Sequence, residues 1–257
     1  MELAGKIESY KCVGIDGTKG GWIAACIQSG VISVQMFENI EALCLTYYDA
    51  DSIIIDIPIG LPENNADIRP DKELRKRLKG KASSVFSTPC RKAIYEKDKQ
   101  AARDINSKVL GKSLSEQSLA ICMKIKEVDD FLQKRKTWKN KLLESHPEFV
   151  FMTLNGGTPI YESKKTKKGF NARLSLLRQH TQNIDMLLED IFRQPGMKKR
   201  FDDIIDAICL AVAGNLGKTN KFLSIPDNPM KDSTGLKMQI VYAEVTIKCQ
   251  KEINIYR

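Results

Sequence analysis

Two apolar runs near the start of the chain each lead into an aspartate, and that repeat constrains the fold more than any other feature. In Val13-Gly14-Ile15-Asp16-Gly17-Thr18-Lys19-Gly20-Gly21-Trp22-Ile23-Ala24, the first run ends at Asp16, turn-type residues follow, and a second apolar run begins at Trp22. Glycine supplies positive φ at little steric cost, so the stretch reads as a β-hairpin with a carboxylate at the end of its first strand. An Asp-Gly pair alone is ordinary hairpin chemistry. Ser52-Ile53-Ile54-Ile55-Asp56-Ile57-Pro58 ends in the same way, however, and its isoleucine run is too apolar for an outside strand. Strands are expected at 11–16, 22–28, 31–37 and 52–57, with a helix from Ile40 to about Tyr48 capped by Asn39. A right-handed crossover then places the fourth strand beside the first, and Asp16 beside Asp56.

The remainder of the chain supplies more carboxylates of the same kind. Leu142-Leu143-Glu144 reads as the end of a short strand, and Ser145-His146-Pro147-Glu148 opens a helix with proline at its first position. Between these regions the pattern predicts helices over about 69–78 and 95–109. A longer helix reaches about 135, opened by a Ser113-x-x-Glu116 capping box, with Leu119, Cys122, Ile125, Val128 and Leu132 as its core stripe. Val85 and Phe86 are expected to anchor an ordered loop at 83–91. Helices at 171–180 and 184–193 follow, and a last long helix spans about 200–216. Asp203 and Asp206 share one face of that helix. No residue from Ala207 to Ala213 carries a charge. An ionised aspartate in such surroundings is costly unless it is paired or binds a metal.

A chain of 257 residues suits a single large domain, here with a helical insertion at about 62–140. No stretch approaches the ~20 apolar residues that span a bilayer, and the first residues lack a signal pattern. A cytoplasmic protein without membrane association is expected. The seven cysteines are scattered without a CxxC pair, so buried reduced thiols are expected throughout, Cys249 included, rather than a zinc site. The net charge of +9 is local: residues 62–140 hold 20 Lys or Arg against 11 Asp or Glu, and the rest of the chain is balanced. A second basic cluster is Lys164-Lys165-Thr166-Lys167-Lys168. Such surfaces suit a polyanionic partner, and equally a solvated helix face.

Oxygen-only clusters of Asp and Glu suit hard cations such as Mg²⁺ or Mn²⁺. Two such ions can activate a water and stabilise the leaving oxygen of a phosphodiester. Structural ion pairing is the alternative, and the shortage of Lys and Arg near Asp56 and Asp206 in sequence weighs against it. His146 is a candidate proton-transfer or substrate-contact group, or a helix-capping histidine. Glu144 and Glu148 are candidates beside the metal or the substrate. Arg91 and Arg173 could clamp a phosphate in bidentate fashion or pair at the surface. Lys19, Lys165 and Lys168 complete the candidate substrate contacts.

This layout resembles the ribonuclease H-like superfamily. The strings Gly14-Ile15-Asp16-Gly17 with Gly20-Gly21-Trp22, Asp56-Ile57-Pro58-Ile59-Gly60-Leu61-Pro62, Phe86 with Pro89 and Arg91, Glu144-x-His146-Pro147-Glu148, and Asp203-Ile204-Ile205-Asp206-Ala207 look like an uncharacterised-domain family of predicted nucleases of that fold. The resemblance implies an α/β protein with a ribonuclease H-like mixed five-stranded sheet, flanking helices and the basic helical insertion. It also implies a Mg²⁺- or Mn²⁺-dependent nuclease acting on DNA or RNA, with metal ligands Asp16, Asp56, Asp203 and Asp206, distantly similar to Holliday-junction resolvases. Those resolvases commonly carry Glu on the fourth strand, where this chain has Asp56. Two other classes stay open. A phosphotransferase of the sugar-kinase and actin type shares the early strands, but would need a second glycine-rich phosphate turn, for which Gly156-Gly157 is the only candidate. A non-catalytic nucleic-acid-binding module is the other.

Overall fold

The computed structural model describes residues 9–245. β1 (Cys12–Thr18), β2 (Gly21–Gln28) and β3 (Val31–Phe37) form an antiparallel meander, and α1 (Ile40–Thr46) leads to β4 (Ser52–Ile55). Helices α2 (Asp71–Arg77), α3 (Arg91–Ile94), α4 (Lys99–Leu110) and α5 (Glu116–Lys134) precede β5 (Leu142–Glu144). Then come α6 (Pro147–Leu154), α7 (Lys167–Arg178), α8 (Ile184–Arg193), α9 (Phe201–Thr219), β6 (Phe222–Ile225) and β7 (Ile240–Ala243). The result is a mixed five-stranded sheet in the order β3-β2-β1-β4-β5, with β4 parallel to both β1 and β5. β6 and β7 pair separately in a small antiparallel sheet.

The meander follows its sequence pattern closely. β1 runs two residues past its expected end, so Asp16 lies within the strand opposite Ile23, and the turn contracts to Lys19-Gly20. Gly20 takes φ of 83°, which a side chain would resist. β4 stops at Ile55, and the Asp56 N–H donates to the Ile15 carbonyl at 3.0 Å, which fixes Asp56 beside β1. Asn39 caps α1 as expected, accepting from the Ala42 N–H at 2.8 Å.

Strand alternation divides the core into two layers. On one face Val13, Ile15, Ile53 and Ile55 meet α1, α3 and α5. On the other, Cys12, Ile23, Ala25 and Ile54 meet α6 to α9. The same alternation aims Gly14, Asp16 and Asp56 at the α9 face. Gly14 matters sterically: a Cβ there would stand 2.1 Å from the Ala207 carbonyl oxygen, so only glycine lets α9 lie directly on β1.

The inserted helices belong to the core as much as to the surface, since Ala93, Ile94, Ile125 and Val128 join the α1-side layer. Three local expectations change. Ser115, not Ser113, caps α5, accepting from the Ser118 N–H at 3.1 Å. The first inserted helix starts at Asp71, which leaves Arg69 free to turn inward. Phe86 is not a buried anchor; Val85 is buried beside it, while Phe86 stays 37% exposed. Among the described residues six cysteines are buried and unpaired, and Cys249 lies outside the described residues. No helix among the described residues is long and apolar enough to cross a membrane.

Candidate active site

A cleft of about 640 Å³ opens where β1 and β4 end, and Asp16, Asp56, Glu148, Lys164, Asp203 and Asp206 line its floor. Three elements supply the aspartates. Asp16 comes from β1, Asp56 from the residue after β4, and Asp203 and Asp206 from successive turns of α9. Burial acts on all four, and at Asp16 repulsion from the other three adds to it. Burial, then the negative charges of Asp56, Asp206 and Asp203, raise the Asp16 pKa well above the usual carboxylate range. Burial pushes Asp56 up to about 7, with Lys164 opposing. Asp206 is pushed up to about 6 by burial, again against Lys164. Asp203 is raised by burial, with a hydrogen bond from Thr18 pulling the other way.

The polar contacts leave part of this cluster unsatisfied. Asp16 Oδ1 accepts from the Gly17 N–H at 2.6 Å. Lys164 Nζ donates to Asp206 Oδ2 at 2.5 Å, whereas Asp206 Oδ1 is buried without a partner. Lys164 is thus paired with one of the four aspartates, and Lys19 and Lys124 also line the cleft. Lys164 escaped the sequence-based selection, which took Lys165 and Lys168 from the same cluster. Its placement depends on Gly169: a Cβ there would meet the Ser163 carbonyl oxygen at 2.2 Å. Thr166 caps α7 by accepting from the Gly169 N–H, and its hydroxyl donates to the Ser163 carbonyl. The loop is thereby folded back so that Lys164 reaches inward, while Lys165 is exposed and Lys168 pairs outside with Glu162 at 2.5 Å. The expectation that Asp206 lacks a basic neighbour fails because its partner arrives from a distant loop.

Other predicted residues take different roles. Lys19 is exposed at the cleft mouth. His146 lines the cleft, with Nε2 3.3 Å from the Ser84 carbonyl oxygen and Nδ1 buried without a partner. Burial lowers its pKa, so the ring is neutral near pH 7. Glu144 points to the opposite sheet face: its oxygens accept from Arg69 at 2.6 and 3.0 Å and from the Ile59 N–H at 2.7 Å. Against the lowering effect of burial, Glu144 and Asp71 hold the Arg69 guanidinium above its ordinary range. Glu144 lines the same cleft, but its carboxylate is engaged by Arg69 and the Ile59 N–H and fixes the 59–69 loop.

Neither arginine is available as a phosphate clamp. Arg91 is spent on Glu63, Asp129 and Asp232. Arg173 is fully buried and grips both oxygens of Glu148 at 2.7 and 2.8 Å. It thus positions Glu148 at the floor. Lys124, also unforeseen, lays its stem over Gly17 and its ammonium 4.1 Å from the centre of the Trp22 ring.

A family model described as "Protein of unknown function (DUF429)" matches residues 14–231. The chain belongs to that family. The DUF429 match takes in all four aspartates and ends before β7. No curated protein and no solved structure matches the chain.

The donors fit a hard divalent cation chemically. They are all oxygen, they are crowded enough to repel one another, and Asp206 Oδ1 is buried and unpaired. Among the described residues no three acidic, His or Cys side chains are already gathered as a ligating group. The Lys164 ammonium holds Asp206 Oδ2 in this arrangement.

Proposed function

We propose that this DUF429 protein is a metal-dependent nuclease that hydrolyses phosphodiester bonds of nucleic acid, built on a ribonuclease H-like sheet. One observation carries the proposal: aspartates from β1, the end of β4 and α9 converge on one cleft, where burial raises all four and the charges of the other three raise Asp16 further. The sheet order, with the meander joined to parallel β4 and β5, supports the fold assignment. Asp16, Asp56, Asp203 and Asp206 would hold Mg²⁺ or Mn²⁺. When bound, such ions supply an activated water and neutralise charge on the leaving oxygen. The remaining chemistry belongs to this chain. The Gly17 N–H orients Asp16, and the Thr18 hydroxyl orients Asp203. Arg173 holds Glu148 in a fixed pose, and Lys164 keeps Asp206 ionised by direct pairing. Neutral His146, which lines the cleft and has its buried Nδ1 unpartnered, would be the proton acceptor.

Asp16→Asn tests the proposal. It should abolish Mn²⁺-dependent cleavage across a panel of branched, duplex and single-stranded DNA and RNA, with the circular dichroism spectrum unchanged. Wild-type cleavage by a clean Asp16→Asn preparation would refute the assignment.

A further inference from the structure

The wall facing the aspartates is made by residues 83–88 and the side of α5 that carries Gln117 and Ile121. Residues 84–88 are clamped at almost every position. Arg75 donates to the Val85 carbonyl at 2.9 Å and to the Ser87 hydroxyl at 3.1 Å. The Ser118 hydroxyl donates to the Ser87 carbonyl at 3.3 Å, and the Thr88 N–H donates to Asp71 at 2.8 Å. His146 meets the Ser84 carbonyl, tying this wall to the floor. In the middle of the clamped segment the Phe86 ring lines the cleft and stays 37% exposed. An apolar ring costs free energy when displayed to water, and here a rigid frame displays it. The cleft volume of about 640 Å³ falls among pockets that enclose a small ligand, which are about 300–1,000 Å³. That space accepts a nucleotide separated from its complement far better than a paired duplex.

Building on the nuclease reading above, we infer that the cleft takes an unpaired nucleotide of a DNA or RNA strand, with its base stacked on Phe86 and its phosphate turned to the aspartate floor. Phe86 is a specificity-determining residue in this arrangement, and Arg75 is a positioning residue that holds the ring's segment. Stacking on an aromatic ring tolerates any base, so the site selects for an unpaired base and not for a sequence.

Binding of fluorescent short strands in Ca²⁺, which replaces Mn²⁺ to suppress turnover, tests this directly. Three probes of equal length are compared: a single strand, the same strand with abasic positions throughout, and its duplex. Wild type should bind the single strand about tenfold more tightly than the abasic strand, and also more tightly than the duplex. Phe86→Ala should remove the preference over the abasic strand and leave abasic binding unchanged; Phe86→Trp should keep the preference. Arg75→Met should weaken the preference without erasing it. Equal wild-type affinity for normal and abasic strands would overturn the inference, as would a Phe86→Ala loss that is the same on both. Phe86→Ala that melts early would leave Phe86→Trp and the wild-type comparison to decide. The nuclease reading fails by a different result, namely the absence of Asp16-dependent cleavage in Mn²⁺ on every strand and duplex tested.

Discussion

At the scale of single residues, the aspartates behave as a group whose charges the fold opposes. Asp56 is the clearest case, since burial moves it up to about 7 in the folded protein. An acid whose folded pKa is raised binds more protons folded than unfolded, so its contribution to stability falls as pH rises from about 4 to 7. Asp56→Asn removes the charge and keeps the shape. In chelator, the variant should melt at a higher temperature than wild type at pH 7.5, and the gap should close as the pH is lowered to 4. Differential scanning calorimetry across that range checks the sign. A variant less stable than wild type at pH 7.5 would make Asp56 a structural ion-pair partner. The aspartates themselves were legible in the sequence, because two apolar runs end in Asp16 and Asp56 and an otherwise apolar helix pattern carries Asp203 and Asp206 on one face. Lys164 was not, because nothing local distinguishes it from Lys165; only the fold-back allowed by Gly169 does so.

At the scale of elements, strand parity decides which carboxylates meet. Asp16 and Asp56 share the α9 face, whereas Glu144 stands opposite Ile55 in register and so faces the α1 side with Arg69. Alternation along Leu142-Leu143-Glu144 already contained that outcome, but the register between β4 and β5 was needed to read it. The early strands and α1 were legible because period-two patterning and a cap residue are local signals. The β6–β7 sheet was not, since two four-residue strands joined across a long irregular segment leave little periodicity. The contact of α9 with β1 is the element-level feature most open to test. Gly14→Ala forces a methyl group against the Ala207 carbonyl, a backbone atom that cannot swing aside. A loss of about 2–3 kcal/mol is expected in urea unfolding, near the top of the range for overpacking. Because the displacement separates β1 from α9, the Mn²⁺-dependent rise in melting temperature should shrink as well.

At the scale of the whole molecule, the basic excess of residues 62–140 divides into two populations. Arg69, Arg75 and Arg91 turn inward and hold loops, and lysines such as Lys76 and Lys79 remain outside. Sequence counting cannot separate these populations, because it does not show which cations find a partner, whether in a nearby loop, as Arg75 does, or far along the chain, as Arg91 does with Asp232. Salt dependence distinguishes an exposed cation from an inward arginine, wherever in the chain each lies. Lys19→Ala, at the cleft mouth, should reduce the slope of log affinity against log salt for a single strand by about 0.7, one phosphate contact. Arg91→Met should leave that slope unchanged while lowering the melting temperature. An unchanged slope for Lys19→Ala would place the strand elsewhere on the surface. The late position of α9 has a consequence for synthesis on the ribosome. Until Phe201 and the residues after it emerge, Cys12, Ile23, Ala25 and Ile54 lack the α9 part of their cover, and Asp16 and Asp56 have no Asp206 beside them. A nascent or prematurely terminated chain therefore leaves part of an apolar sheet face open and cannot assemble its acidic floor, so the four-aspartate cleft forms only after α9 has been made.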